Sequence, residues 1–444
     1  MVKQYTQSSF DYRLDDVKYM PDGDESSKDN ISIANIIFQV DIFENIERPF
    51  LSGQIILSDN TGIYDKFLDI KGTERLLLQF SNPETTNVIE KRFVIRKVHS
   101  STKTAERSES IILNIVDETY YIDTVLQFSK AFKGTPDVIV KNILKDQLNV
   151  ELISPLISPY QDSMKVVVPY MTPLKAAKWI TNRASTEHGF PYYLYATLFD
   201  SKLTLKSLEE MFTQDYWNTE YDFQYSQARN ERETNLVHPR NLYNINDFKQ
   251  NNTEDTLLLM ERGSIGSSYS VIDLTTGVSD TFRFNSDQLF KDVIFGNKLL
   301  GKDTDKMLGL LDDTSVFGDD NFKLSDRNGQ NYDRVVMVNT YNDIGNYYTG
   351  TFRLDATSKA IKNIIVKSSA KISVGGYIFF SGSENRTIGS KINIDFPNNR
   401  SDIEYQNKDL KRSGEYVIHS CRHSFIQERH MIDATIVKLG NLKE

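Results

Sequence analysis

A chain of 444 residues has room for two to four domains at roughly 100–200 residues each. Its single cysteine excludes an intramolecular disulfide and points to folding in a reducing compartment. A formal net charge of −9 argues against a nucleic-acid-binding surface, which needs clustered Lys and Arg. The polar start "MVKQYTQSSFDYRLDD" lacks the apolar run of a signal peptide, and no window approaches 18 apolar residues, so neither secretion nor membrane insertion is expected.

With 23 Tyr and 25 Phe against 11 Pro, the composition favours strands. Residues 1–30 end in "DGDESSKDN" and are expected as an N-terminal arm. From Ile31 the text alternates: "ISIANIIFQVDIFENI", a turn at "ERPF", then "LSGQIILSDNTG". "RLLLQFSN", "EKRFVIRKVHSS" and "SESIILNIVDETYYI" continue as strands, so residues 31–118 are read as one β domain.

The period then changes. In "KGTPDVIVKNILKDQL", Thr135 is the expected cap, Pro136 starts the helix, and Val140, Ile143, Leu144 and Leu148 form one stripe. "MTPLKAAKWITNRASTEHG" repeats the device with Thr172, Pro173 and the face Leu174, Ala177, Ile180 and Ala184. "FPYYLYATLFDSKLTLKSL" is a hairpin turning at Asp200 and Ser201, giving an α/β module over 119–225. Residues 226–345 are a connecting segment and irregular insertion, with strand-like text in "TLLLMERGSIGSSYSVIDLTTGVSDTFRFN" and "VVMVNTY". Over 346–444, "SKAIKNIIVKSSA" reads as a short helix, and "KISVGGYIFFSG" and "SKINIDFPNN" read as strands. The closing pair "YVIHSCRHSFI" and "HMIDATIVKLG" turns across "QER". Together these make a second β unit.

The candidate metal ligands are His419, Cys421 and His423, whose i, i+2, i+4 spacing puts them on one face of a strand. Zinc accepts imidazole and thiolate, and His430 on the partner strand is the nearest further candidate. Against a cation stand the flanking charges of Arg422 and Arg429, and the competing reading is a half-buried strand with packed His and Cys side chains.

"GNKLLGKD" places Gly296, Gly301 and Lys302 close to a phosphate-binding loop, but Asp303 stands where a hydroxyl should hold magnesium, and Leu299 and Leu300 are bulky. A Gly-punctuated loop is expected there. No G-x-S-x-G occurs, and His188 is read as a helix C-terminal cap. No arrangement singles out a catalytic carboxylate pair. Neither a cofactor nor a catalytic residue is assigned, and the chain is not expected to be an enzyme.

Three stretches in order carry a resemblance: "DIFENIERPFLSGQIILSDNTGIYDKF" (41–67), "FKGTPDVIVKNIL" followed by "MTPLKAAKWITNRASTEHGFPYYLY", and "SGEYVIHSCRHSFIQERHMIDATIVKLG" (413–440). The chain resembles the baseplate central hub proteins of contractile-tailed bacteriophages, related to the hub part of VgrG proteins of type VI secretion. The resemblance implies a mainly β fold with α/β insertions: two small tube-forming β-barrel domains, 31–118 and 346–444, plus peripheral α/β structure. The second barrel would be completed by part of 226–295.

It further implies a homotrimer whose pseudo-sixfold ring joins the sixfold tail tube protein to the threefold spike or tail lysozyme protein. Other baseplate proteins would surround it, and DNA would pass through the lumen without specific binding. The expected location is the virion tail, assembled in the host cytoplasm, with spike and any lysozyme on a separate chain. In the resemblance the closing strand carries one His, aligned with His423, which leaves His419 and Cys421 as local variation and favours the scaffold reading. The alternatives are a tail-associated cell-wall-degrading enzyme, or the hub of a tailocin or type VI-like injection machine.

Overall fold

A computed structural model describes residues 12–68, 70–81, 88–106, 108–154, 164–186, 188–217, 221–225, 242–250, 266–273, 277, 279–285, 304–306, 333–338, 357–359, 361–363, 365, 369–380, 387–397, 408–409, 412–426, 429–438 and 441–442. Most of the described elements are strands, and thirteen of them join one continuous sheet.

Its first part follows the alternation in the sequence. In Ser52–Asp59 every second residue from Gly53 faces inward. Gly53 has to be glycine, because a Cβ there would lie 2.5 Å from the Asp41 carbonyl. Ile37–Asn45, Ser52–Asp59, Ser108–Asp117, Val88–Ala105 and Arg75–Ser81 pair antiparallel in that order. Where an arm is expected, Arg13–Met20 adds a further strand on Arg75–Ser81, burying Val17, Tyr19 and Met20. A register shift between Leu14 and Asp16 breaks its alternation, which is why the text reads as polar arm. The run "SESIILNIVDETYYI" also ends earlier than expected. Asp117 accepts the Thr119 N–H at 2.8 Å and caps the helix Glu118–Val125.

The helices Pro136–Leu148 and Pro173–Thr181 form with proline in the first turn and bury Val140, Ile143 and Leu144, and Leu174, Ala177 and Ile180, while Leu148 is half-buried and Ala184 lies past the second helix's end. Neither Thr135 nor Thr172 caps its helix with a side chain. The second helix receives its capping acceptor from elsewhere: the buried Asp123 carboxylate accepts the Leu174 N–H at 2.6 Å. The hairpin Tyr192–Ala196 with Leu203–Ser207 lies beside them, and Phe128–Gly134 pairs with Met164–Met171.

The second β unit closes into a six-stranded barrel. Gly414–Ile426 pairs with Lys391–Asp395, then come Phe223–Tyr225, Asn244–Gln250, Ser369–Gly375 and Arg429–Val437, which returns to Gly414–Ile426. Two of these strands come from mid-chain, Phe223–Tyr225 from the end of the expected α/β module and Asn244–Gln250 from the expected connecting segment. "KISVGGYIFFSG" is a strand only to Gly375, and Tyr377–Phe380 is helical. Gly266–Asp273, Ser279–Asn285 and Asp333–Val338 make a separate three-stranded sheet. "GNKLLGKD" lies outside the described residues.

Gly414–Ile426 belongs to both units. Along one edge it pairs first with Lys391–Ile394 and then, from Ser420 to Ile426, with Asn45 to Gln39 of the first unit. Its other edge carries Arg429–Val437. Tyr416, Val417, Ile418 and Cys421 enter the core of the barrel, whereas Phe425 enters the core of the first unit and stacks on Phe80 at 4.6 Å.

Lys438, just past the last barrel strand, is buried and donates to the Ser413 carbonyl at 2.7 Å. Burial pushes its ammonium down to about 8. The folded chain therefore loses this proton before the unfolded chain does, so its contribution to stability falls as pH falls from 10.5 towards 8. Between about pH 7 and pH 10.5, the stability of wild type relative to Lys438→Met is expected to rise by roughly 3 kcal/mol, read from urea melts across that range.

Candidate functional site

The join between the two units holds a polar cluster inside an apolar interior. In Ile37–Asn45 the inward phase runs Val40, Ile42, Glu44, and in the shared strand it runs Cys421, His423, Phe425. Cys421 lies opposite Glu44, and His423 opposite Ile42. His430 faces Phe425 from the strand Arg429–Val437. All four polar residues are buried, with His423 and His430 at 0% exposure.

The Cys421 thiol donates to Glu44 Oε2 at 3.2 Å and lies 3.4 Å from His423 Nε2. His423 Nε2 is 3.6 Å from the same carboxylate oxygen. The other carboxylate oxygen, Oε1, accepts the Leu198 N–H, and the Thr387 side chain also hydrogen-bonds Glu44. On its far side His423 Nδ1 meets His430 Nε2 at 3.1 Å, one ring donating and the other accepting. His430 stacks on Phe425 at 4.3 Å, so both imidazoles are held in place.

Burial works to raise the Glu44 carboxyl, yet the adjacent His423 and the hydrogen bonds from Leu198 and Thr387 hold it below the ordinary carboxylate range. Burial, with Glu44 beside it, pushes the Cys421 thiol well up. Burial and the neighbouring His423 push His430 well down, so it is neutral. A buried, protonated thiol is a poor nucleophile.

Of the expected ligands, Cys421 and His423 come together and His419 does not join them. A register shift between Ile418 and Ser420 takes His419 out of line, and its Nε2 lies 3.7 Å from Glu47 Oε1. That contact holds the Glu47 carboxyl below its usual range. Of the two flanking charges expected to repel a cation, Arg422 points to the opposite face and pairs with the buried Asp41 at 2.8 Å, and Arg429 is exposed. Gln39 donates to both Asp41 oxygens, at 2.9 and 2.8 Å. His188 is not a helix cap: it lies beyond the helix end at Thr181, and its Nδ1 is 2.7 Å from Glu209 Oε1.

Glu44 was not among the residues singled out from sequence. Its signal was present, a carboxylate on the inward phase between Ile42 and Ile46. On the outward face of the same strands lies a cleft of about 640 Å³, lined by Arg48, Lys249, Lys371 and Arg422 with Asp247 and Asp433. Its mixed charge is unlike the mostly apolar lining of small-molecule pockets.

No protein-family model and no curated protein matches the chain. Solved structures do. The 43 kDa tail protein of prophage MuSo2 from Shewanella oneidensis aligns over 95% of this chain and 98% of its own, with a TM-score of 0.51 at 10% identity. The chain shares the fold of that phage tail protein. A tail protein from Neisseria meningitidis MC58 aligns over 96% of each chain at a TM-score of 0.49 and 11% identity. A chain of the Francisella PdpA–VgrG complex aligns over 95% of this chain and 52% of its own, at 0.45 and 9%. At 10% identity the likeness to the MuSo2 tail protein is one of fold alone. This tail-protein fold is mostly strand, with the closed barrel described above.

The cluster also constrains the backbone around it. A Cβ on Gly376 would lie 2.2 Å from His430 Nδ1, and the stacked ring cannot retreat. Gly375 has open space at the same position. Gly376→Ala is expected to cost about 1–3 kcal/mol in a denaturant melt, while Gly375→Ala stays within about 0.5 kcal/mol of wild type.

Proposed function

We propose that the chain is the structural central hub of a contractile-tail baseplate. Three copies form a ring of pseudo-sixfold symmetry that joins a sixfold tail tube protein on one face to a threefold spike or tail lysozyme protein on the other. Surrounding baseplate proteins hold the ring from outside, and DNA leaves through its lumen. The role is mechanical and needs no catalytic residue.

The observation that carries this reading is the shared strand Gly414–Ile426, which fuses two β units of one chain into a single sheet. Two fused β units per chain, three times over, supply six similar positions from a threefold assembly. The edge of the first unit supports it. Ile31–Ser32 covers Arg13–Met20 at Lys18 and Tyr19, and the Ile33 N–H donates to the Val17 carbonyl at 2.8 Å, so among the described residues the edge before Val17 offers backbone groups to a neighbouring chain. A net charge of −9 per chain suits a passage that must not retain DNA, since an acidic wall repels phosphate.

Light scattering with negative-stain imaging of the same peak tests the reading. The expected result is a particle of three times the 51.1 kDa chain mass with an axial hole. A chain that stays monomeric alone, and also when mixed with its tube and spike proteins, would contradict it.

A further inference from the structure

We propose that Glu44, Cys421 and His423 form a binding site for a thiophilic divalent cation, zinc foremost, at the join between the two β units. The inference is independent of the hub reading. Among the described residues these three present ligand atoms within 4.8 Å of one another, all buried.

The geometry matches a coordination face. The three edges measure 3.2 Å from sulfur to carboxylate oxygen, 3.4 Å from sulfur to imidazole nitrogen, and 3.6 Å from nitrogen to oxygen. In tetrahedral zinc, with thiolate at about 2.3 Å and nitrogen or oxygen at about 2.0–2.1 Å, ligand atoms lie roughly 3.3–3.6 Å apart. A cation can therefore sit on this triangle with ligand shifts of a few tenths of an ångström. The fourth corner takes a water, as in sites with three protein ligands.

Two of the three ligands, His423 and Glu44, are oriented by partners outside the triangle. His423 presents Nε2 while His430 holds its Nδ1 at 3.1 Å, the arrangement that fixes the orientation of a metal-binding imidazole. Glu44 presents Oε2 while Leu198 occupies Oε1. The donors sit on paired strands and not on loops, so their spacing is set by the sheet.

Charge favours the filled site as well. On binding, the cation takes the place of the Cys421 thiol proton, which is released to solvent. Thiolate and carboxylate then balance the dication, leaving a neutral centre in an interior where net charge is costly. Glu44 belongs to the first unit and Cys421 and His423 to the strand shared with the barrel, so a bound cation cross-links the two and stabilises the folded state by mass action.

The test uses tag-free full-length protein, unfolded with a chelator, refolded with Zn²⁺ or Co²⁺, desalted and analysed for metal. About one cation per chain is expected. Because Cys421 is the sole cysteine, a thiolate-to-cobalt charge-transfer band in the wild-type protein identifies it as a ligand even if variants fold poorly. Cys421→Ser and Glu44→Gln should each lower metal content at least about tenfold, and His430→Gln should weaken affinity about 10–100-fold. A refolded wild type with native circular dichroism and no bound metal would overturn the proposal. So would cobalt bound without a thiolate band, or full metal content in both Cys421→Ser and His423→Gln.

Discussion

The rest of the structure depends on one strand having three partners. A strand has two edges, and Gly414–Ile426 is long enough to divide one of them between Lys391–Ile394 and Gln39–Asn45 while the other carries Arg429–Val437. Two β units are thereby joined through backbone hydrogen bonds and not only by a surface contact. Each such bond adds about 1 kcal/mol net, and their arrangement is directional. Loss of the pairing from Ser420 to Ile426 would also empty the first core of Phe425, which packs against Tyr12 and Phe80.

Register along this join is set by chemistry on both faces. In the observed pairing Cys421, His423 and Phe425 lie on one face, and Arg422 and Ser424 lie on the other with Asp41 and Gln39. A slip by one residue would turn Arg422 into the interior beside His430 and expose Phe425. Burying an unpaired guanidinium costs several kcal/mol. The Asp41–Arg422 pair and the Glu44–Cys421–His423–His430 cluster thus act from opposite faces to select one alignment. Polar groups in the interior cost desolvation, and here Cys421 bonds Glu44, His423 bonds His430 and Arg422 bonds Asp41 across the join.

Much of this was legible in the sequence, for reasons particular elements make plain. Ser52–Asp59 alternates without interruption, and Pro136 and Pro173 mark helix starts that no strand would tolerate. Arg13–Met20 was hidden because a bulge shifts its phase by one residue. The cap of Pro173–Thr181 was misread because its acceptor, Asp123, comes from another helix. Barrel closure was not legible in detail, since Phe223–Tyr225 is three residues long and pairs in parallel both with Asn244–Gln250 and with Lys391–Asp395 far along the chain. For the cluster, the spacing of Cys421 and His423 announced a shared face, but a bulge removed His419. Glu44, remote in sequence, entered only through pairing.

Hydrogen exchange followed by mass spectrometry on the native full-length protein tests the central claim, that the shared strand makes one cooperative body of the two units. The amides of Ile37–Asn45 and of Gly414–Ile426 should open together, with the same free energy and the same denaturant dependence. Exchange of Ile37–Asn45 through a separate, lower-energy opening, with Gly414–Ile426 still protected, would contradict the account.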